Sequence, residues 1–338
     1  MTNCIHLFRN YLCRCKSEFA AIVCVAILPA ASAQVTVTRP SPRTVTVHVS
    51  ATGHQHIADT IFGSFLEPIG NSINNGIAAE ILVNRSLEAG LWNHTNLENL
   101  FREQPDLIDS SNETGIPLPW QSLNRAAGNR FELHVGHAAN SWQSLEIMGQ
   151  PDELTGIKQQ VCLPVQRVLG YKVSFYAKHR SGPAGITVSF RDRTTSKVFA
   201  ESRVESSATE WTKYSTTLRL AQDQVRRLEA VDFGVAVEGT ERVDVDQFSL
   251  MPEDAIGSLD PDEVAMAKAM HITELRFGGN FSSYYHWRDG VGPEDQRPTI
   301  ENIAWERILP GEFRNITTSE QMSFYSYVTL LGQCRSSI

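Results

Sequence analysis

Residues 274–298 read ELRFGGNFSSYYHWRDGVGPEDQRP, a short β-type run followed by paired glycines, an asparagine, aromatics and a charged turn. Glycines directly after a strand let the backbone approach a ligand or a neighbouring chain closely. Asn280 both donates and accepts hydrogen bonds, which suits a hydroxyl-rich ligand. Tyr284, Tyr285 and Trp287 offer flat apolar faces on which a sugar ring can lie, and Arg288 and Asp289 are placed to fix the loop. The same composition also suits a packed interdomain loop with aromatic filler, so the stretch by itself leaves both readings open.

Working outward, Asp260-Pro261 reads as a helix start, with the cap residue followed by proline at the first helical position. Val264–Met270 forms the helix body, and SEQMSFYSYVTLLG (319–332) reads as a second helix with Gly332 at its C-terminal end. Helix, strand, loop and helix in succession indicate an α/β unit. A similar unit lies upstream. IFGSFLEPIGNSINNG (61–76) is an apolar run ending at Glu67, then a polar loop, and IAAEILVNRSLEA (77–89) has helix-type spacing. An isolated glutamate is ordinarily a cap or an ion-pair partner. At a strand end, in a unit matching the paired-glycine strand, Glu67 becomes a candidate binding residue.

Between these units the chain changes period. Residues 171–179, 185–192, 211–220, 231–239 and 242–250 alternate with period two and are separated by turn residues such as Ser181-Gly182-Pro183. Short strands at near-regular spacing with little helix predict an antiparallel β-sandwich over roughly 98–252. TVTVHVS (44–50) reads as a further half-buried strand.

The first residues form a separate piece. Arg9, Arg14 and Lys16 precede an apolar run from Phe19 to Leu28, and Ala30-Ala31-Ser32-Ala33 follows Pro29. This is the pattern of a secretory signal peptide cut near Ala33, and it predicts export to an extracellular or periplasmic space. After that cut 27 basic groups face 37 acidic ones, a formal charge of −10. Such a balance disfavours nucleic acid as a partner, and no later segment has the roughly 20 apolar residues of a membrane span. Cys162 and Cys334 have no metal-ligand spacing. No dinucleotide fingerprint, phosphate loop, HExxH or nucleophile elbow is present, so the reading calls for no cofactor and no metal. Asn84, Asn93, Asn112, Asn280 and Asn315 each begin an N-x-S/T sequon.

Taken together, residues 61–90, SLMPEDAIGSLDPDEVAMAKAMH (249–271) and LRFGGNFSSYYHWRDGVGPEDQRP (275–298) resemble successive segments of the family 51 α-L-arabinofuranosidases. The pattern GGNF…Y.W.DG.GP..RP is the specific part, and WTKY and VDVDQFSLMP are similar to the ends of carbohydrate-binding jelly rolls inserted in some members. The resemblance implies an α/β plus all-β chain. Its first two strand units would belong to a (β/α)₈ TIM barrel, interrupted by an antiparallel β-sandwich, and the strand at 44–50 would join a further sandwich. The expected division is a signal peptide at 1–33, an N-terminal strand and first βα unit at 34–97, the sandwich at 98–252 and a second unit at 253–338.

The implied chemistry is retaining hydrolysis of terminal arabinofuranosyl residues from plant cell-wall arabinan or arabinoxylan. Glu67 and Asn280 match positions that hold the sugar in the −1 subsite, with Trp287 beside them in the substrate-binding set. Neither carboxylate of the catalytic pair is matched. No Asn-Glu pair follows residue 298, and Glu301, Glu306, Glu312 and Glu320 lie in loop or helix-start contexts. The expectation is therefore a chain that stops before the third barrel strand and is inactive alone. Members of the family often self-assemble, which the resemblance allows here. The alternative is a non-catalytic carbohydrate-binding protein acting through the sandwich, with Trp120, Trp142 and Trp211 as stacking residues unless they are core.

Overall fold

The computed structural model describes residues 56–67, 73–89, 105–124, 130–277, 283 and 286–299. The signal-peptide reading, the strand at 44–50, Asn280 and the helix at 319–332 lie outside the described residues. The chain divides into compact units at Ile61/Phe62. A 3₁₀ turn, Asp59–Phe62, spans that boundary, and every described strand and α-helix belongs to the second unit.

Two five-stranded sheets form the body of this unit. The first runs β2 (Gln121–Ser122), β5 (Thr155–Cys162), β10 (Ala230–Val237), β7 (Ala184–Arg191), β8 (Val198–Ser206). The second runs β3 (Phe131–Val135), β4 (Gln143–Met148), β11 (Arg242–Pro252), β6 (Gly170–His179), β9 (Thr212–Arg219). Every neighbouring pair is antiparallel. The strands read from alternation correspond to β6, β7, β9, β10 and β11.

The inward residues of the two sheets make one core. Ile186, Val188, Phe190, Phe233 and Val235 meet Leu145, Ile147, Val173, Phe175 and Val245. Tyr171 meets Phe190 edge-on at 5.3 Å, and Phe175 lies 5.9 Å from Phe248. Each fully buried side chain of this size contributes about 1.5–3 kcal/mol relative to exposure.

A smaller part of the same unit carries the expected α/β character. β1 (Ser64–Leu66) pairs in parallel with β12 (Leu275–Phe277), Ser64 opposite Leu275 and Leu66 opposite Phe277. The helix Pro261–Ala269 begins as read: the Asp260 carboxylate accepts from the Asp262 N–H and Pro261 takes the first position. Its buried Val264 and Ala267 pack on Ile73, Ile77, Ala78, Leu259 and Ile272, and Leu66 and Leu275 lie against this cluster.

The helical reading of 77–89 does not hold. A π-type turn, Ile73–Ile77, is followed by extended and turn backbone, with Asn84 and Leu87 at φ 52° and 55°. Tertiary hydrogen bonds replace the helical ones. The Ile81 N–H donates to the Leu250 carbonyl, and Gln159 bonds both the N–H and the C=O of Val83 with its side-chain amide. The buried Glu80 carboxylate accepts from the N–H groups of Leu82 and Leu250 and from the Ser249 hydroxyl. Leu82 and Leu87 enter the sandwich core, whereas Ile77 and Ala78 belong to the smaller one. A run with the spacing of one helix thus serves two cores. A helix at Pro105–Thr114, α1, has no counterpart in the sequence reading; the helix Pro261–Ala269 is α2.

Candidate functional site

The parallel pairing of β1 with β12 brings two strand ends level. Glu67 is the residue after Leu66, which lies opposite Phe277, the last residue of β12. Glu67 is half-buried. Asn280 lies outside the described residues. Trp287 opens a 3₁₀ turn, Trp287–Gly290, and is 63% exposed, with the Arg288 guanidinium 5.5 Å from its ring centroid.

The rest of this loop is docked on the sandwich. Asp295 accepts hydrogen bonds from the Tyr176 hydroxyl at 3.0 Å and the Lys213 ammonium at 2.5 Å, on the outer face of β6 and β9. Burial acts to raise the Asp295 pKa, but these two donors outweigh it and hold it below its ordinary value. Burial, together with the same contact, pushes the Tyr176 hydroxyl up to about 12. Further along, the Arg297 carbonyl accepts from the Asn140 side chain at 2.5 Å, and the Thr299 N–H donates to the Ser141 hydroxyl at 2.8 Å. The Ser86 hydroxyl donates to Thr299 Oγ1 at 2.7 Å. The loop closes on itself through the buried Arg297, whose guanidinium donates to the Gly292 carbonyl at 2.8 and 3.0 Å. Gly292 sits at φ 102°, a conformation that calls for glycine.

The tryptophans separate cleanly. Trp120 is fully buried, 5.1 Å from Phe248, and its indole N–H donates to the Asn84 carbonyl, so it is core and not a stacking residue. Trp211 is half-buried. Trp142 is 69% exposed. It ends the loop joining β3 to β4, whose backbone is held by two buried carboxylates. Asp246 accepts from the N–H groups of Ala139 and Asn140, and Glu88 accepts from those of Trp142 and Gln143. Burial raises both carboxyl pKa values, that of Asp246 strongly, against these backbone donors.

Elsewhere on the outer face of the second sheet, Glu132, His134 and Glu146 bring ligand-type atoms within 4.8 Å of one another. Glu146 is already engaged by Arg242, and the adjacent Asp244 is held by Arg180 at 2.9 Å. Two guanidiniums already engage two of the three acids, so the group suits a cation poorly. Open clefts of about 670 and 550 Å³ lie on the same face. The larger is lined by hydroxyls and ammonium groups, including Lys172, Ser174, Ser215 and Thr217.

A carbohydrate binding domain model matches residues 112–235. The probable α-L-arabinofuranosidase C of Aspergillus fumigatus is 42% identical over 72 residues, 21% of this chain and 13% of the relative. That of Aspergillus terreus is 49% identical over the same length, and an exo-α-(1→6)-L-arabinofuranosidase of Bifidobacterium longum is 42% identical over 53 residues. The chain is related to the α-L-arabinofuranosidases. It matches about an eighth of the length of the first of these relatives. An arabinose-bound family 51 α-L-arabinofuranosidase, MgGH51, superposes over 84% of this chain and 44% of its own, with a TM-score of 0.60 at 16% identity. That likeness establishes a shared fold.

Proposed function

We propose that these residues belong to an exported glycoside hydrolase of the α-L-arabinofuranosidase type, acting with retention on terminal arabinofuranosyl groups of arabinan or arabinoxylan. The observation that carries the reading is the parallel β1–β12 pair, in which Leu66, the residue before Glu67, lies opposite Phe277. In this reading β1 and β12 are the first two strands of a (β/α)₈ barrel, whose loops after the strands carry the site. Glu67 and Asn280 hold the sugar hydroxyls in the −1 subsite, and Trp287 gives the ring an apolar face. The basic, apolar and small-residue pattern before Gln34 supports export.

Retaining hydrolysis needs a nucleophile and an acid/base carboxyl about 5–5.5 Å apart. The resemblance gives neither role to Glu67, so these 338 residues by themselves bind the sugar without cleaving it. Arabinose release from an aryl arabinofuranoside is the test. No release, with retention of the protein on arabinoxylan, is the expected result. Turnover by these residues alone would contradict the assignment of roles.

A second reading is a carbohydrate-binding protein that works through the sandwich. It is favoured by the match to a carbohydrate binding domain and by the exposed Trp142. Binding that is indifferent to Glu67 substitution separates it from the first.

A further inference from the structure

The loop after β12 contains two 3₁₀ turns in quick succession. Trp287–Gly290 carries the exposed indole, and Glu294–Gln296 carries Asp295. Only Val291, Gly292 and Pro293 separate them, and that link has little freedom. Nε and Nη2 of the buried Arg297 both donate to the Gly292 carbonyl, and the Pro293 ring fixes its own φ at −58°. A shift of the second turn is therefore passed on to the first. The second turn is set by the sandwich. The Asp295 side chain is 12% exposed, and one of its oxygens, Oδ2, accepts from both Tyr176 on β6 and Lys213 on β9. These two residues are paired directly across the strands, with the Lys213 ammonium 6.0 Å from the Tyr176 ring centroid. The β6–β9 register thus builds a two-donor socket for a single carboxylate. On the same turn, Glu294 bonds the Ser258 side chain, ahead of α2.

We propose that Tyr176 and Lys213 are positioning residues for the sugar site: through Asp295 they set the place of Trp287, so that the sandwich governs the selection of arabinofuranosyl-branched ligands. This rests on the reading that Trp287 belongs to the arabinofuranosyl site. A ligand that needs the loop docked binds in proportion to the docked fraction, and one partly exposed charged contact changes the docked-to-undocked ratio by up to about fivefold.

The test pairs hydrogen exchange of the 287–297 amides with calorimetric titration of the full 338-residue chain. The probes are a xylo-oligosaccharide with arabinofuranosyl branches and the same oligosaccharide without them. Tyr176→Phe, which loses only the hydroxyl, and Lys213→Met are each expected to speed exchange about fivefold. Each should weaken the branched ligand about three- to fivefold and leave the unbranched one unchanged. Lys213→Arg, which keeps the charge, should behave as the wild type. In an Asp295→Asn background neither change should add a further loss, because both act through that carboxylate. If exchange quickens while the branched ligand binds as before, the contact is structural only: this proposal falls and the reading of the site stands. An equal loss for both ligands also overturns it, since the effect is then not on the branch. If the wild type shows no preference for the branched ligand, the reading of the site falls and this proposal with it.

Discussion

Asp295 is one of the residues that fasten the loop after β12 to the sandwich. Its folded-state pKa is lowered from 3.8, so its contribution is present above that value and is lost as the pH falls through the lower folded value. Lys213 is nearly half exposed, which limits the pair to about 1 kcal/mol or less in solution. Asp295→Asn is therefore expected to lower the thermal midpoint slightly at about pH 6. The gap to wild type should close progressively below pH 3.8. A gap that stays constant with pH assigns the effect to packing instead.

Asn84 is a second informative residue. Its side chain donates to the carbonyls of Glu88 and Leu118 and accepts from the Glu88 N–H, and it is fully buried at a positive φ. Sequon Asn84 is thus closed to glycosylation in the folded chain, whereas Asn112, exposed on α1, is open. Mass spectrometry of protein from a glycosylating host should find Asn84 unmodified. Asn84→Ala is expected to cost about 1–3 kcal/mol through unpaired buried groups, read by chemical denaturation.

Among the strands and helices, those that alternate or carry local signals were legible in the sequence, and the others were not. β6 and β9 present polar residues to one side and apolar ones to the other, and their periods are plain. β4 hid because Ser144 and Glu146 point away from the core and are nonetheless buried, under contacts from His137, His134 and Arg242 that no local pattern announces. Residues 77–89 misled for a related reason. Their spacing fits one helix stripe, but Glu80 and Gln159 capture the backbone through partners far along the chain, and the apolar residues divide between two cores. Glu80→Ala should free the buried N–H groups of Leu82 and Leu250 and cost several kcal/mol, more than a surface glutamate would, read as a shift in the denaturation midpoint. α2 was legible because its cap and proline are local signals. Of the candidate site, Glu67 and Trp287 could be placed relative to their strand ends. The role of Trp142 could not, because only the fold shows which tryptophan is core and which is left in water.

For the whole molecule, the sandwich is more than an insert between two α/β pieces. It receives Leu82 and Leu87 into its core and holds the loop after β12 through Tyr176, Lys213, Asn140 and Ser141. A fragment spanning 98–252 therefore lacks part of its own core. Losing one buried leucine costs about 2–5 kcal/mol, so this fragment should unfold at clearly lower denaturant than one beginning at Ala79. Equal midpoints would show that the 79–89 segment is only appended.

An arabinofuranosyl-binding site formed by the β1–β12 edge and the loop docked beside it should tell branched from unbranched ligands. The decisive measurement is a calorimetric titration of the intact chain with a xylo-oligosaccharide carrying arabinofuranosyl branches and with the same oligosaccharide stripped of them. Tighter binding of the branched ligand is expected, with a loss of about tenfold or more for that ligand alone in Glu67→Gln, as when a charged hydrogen-bond partner is removed. Equal affinity for the two ligands, unmoved by Glu67→Gln, would contradict it.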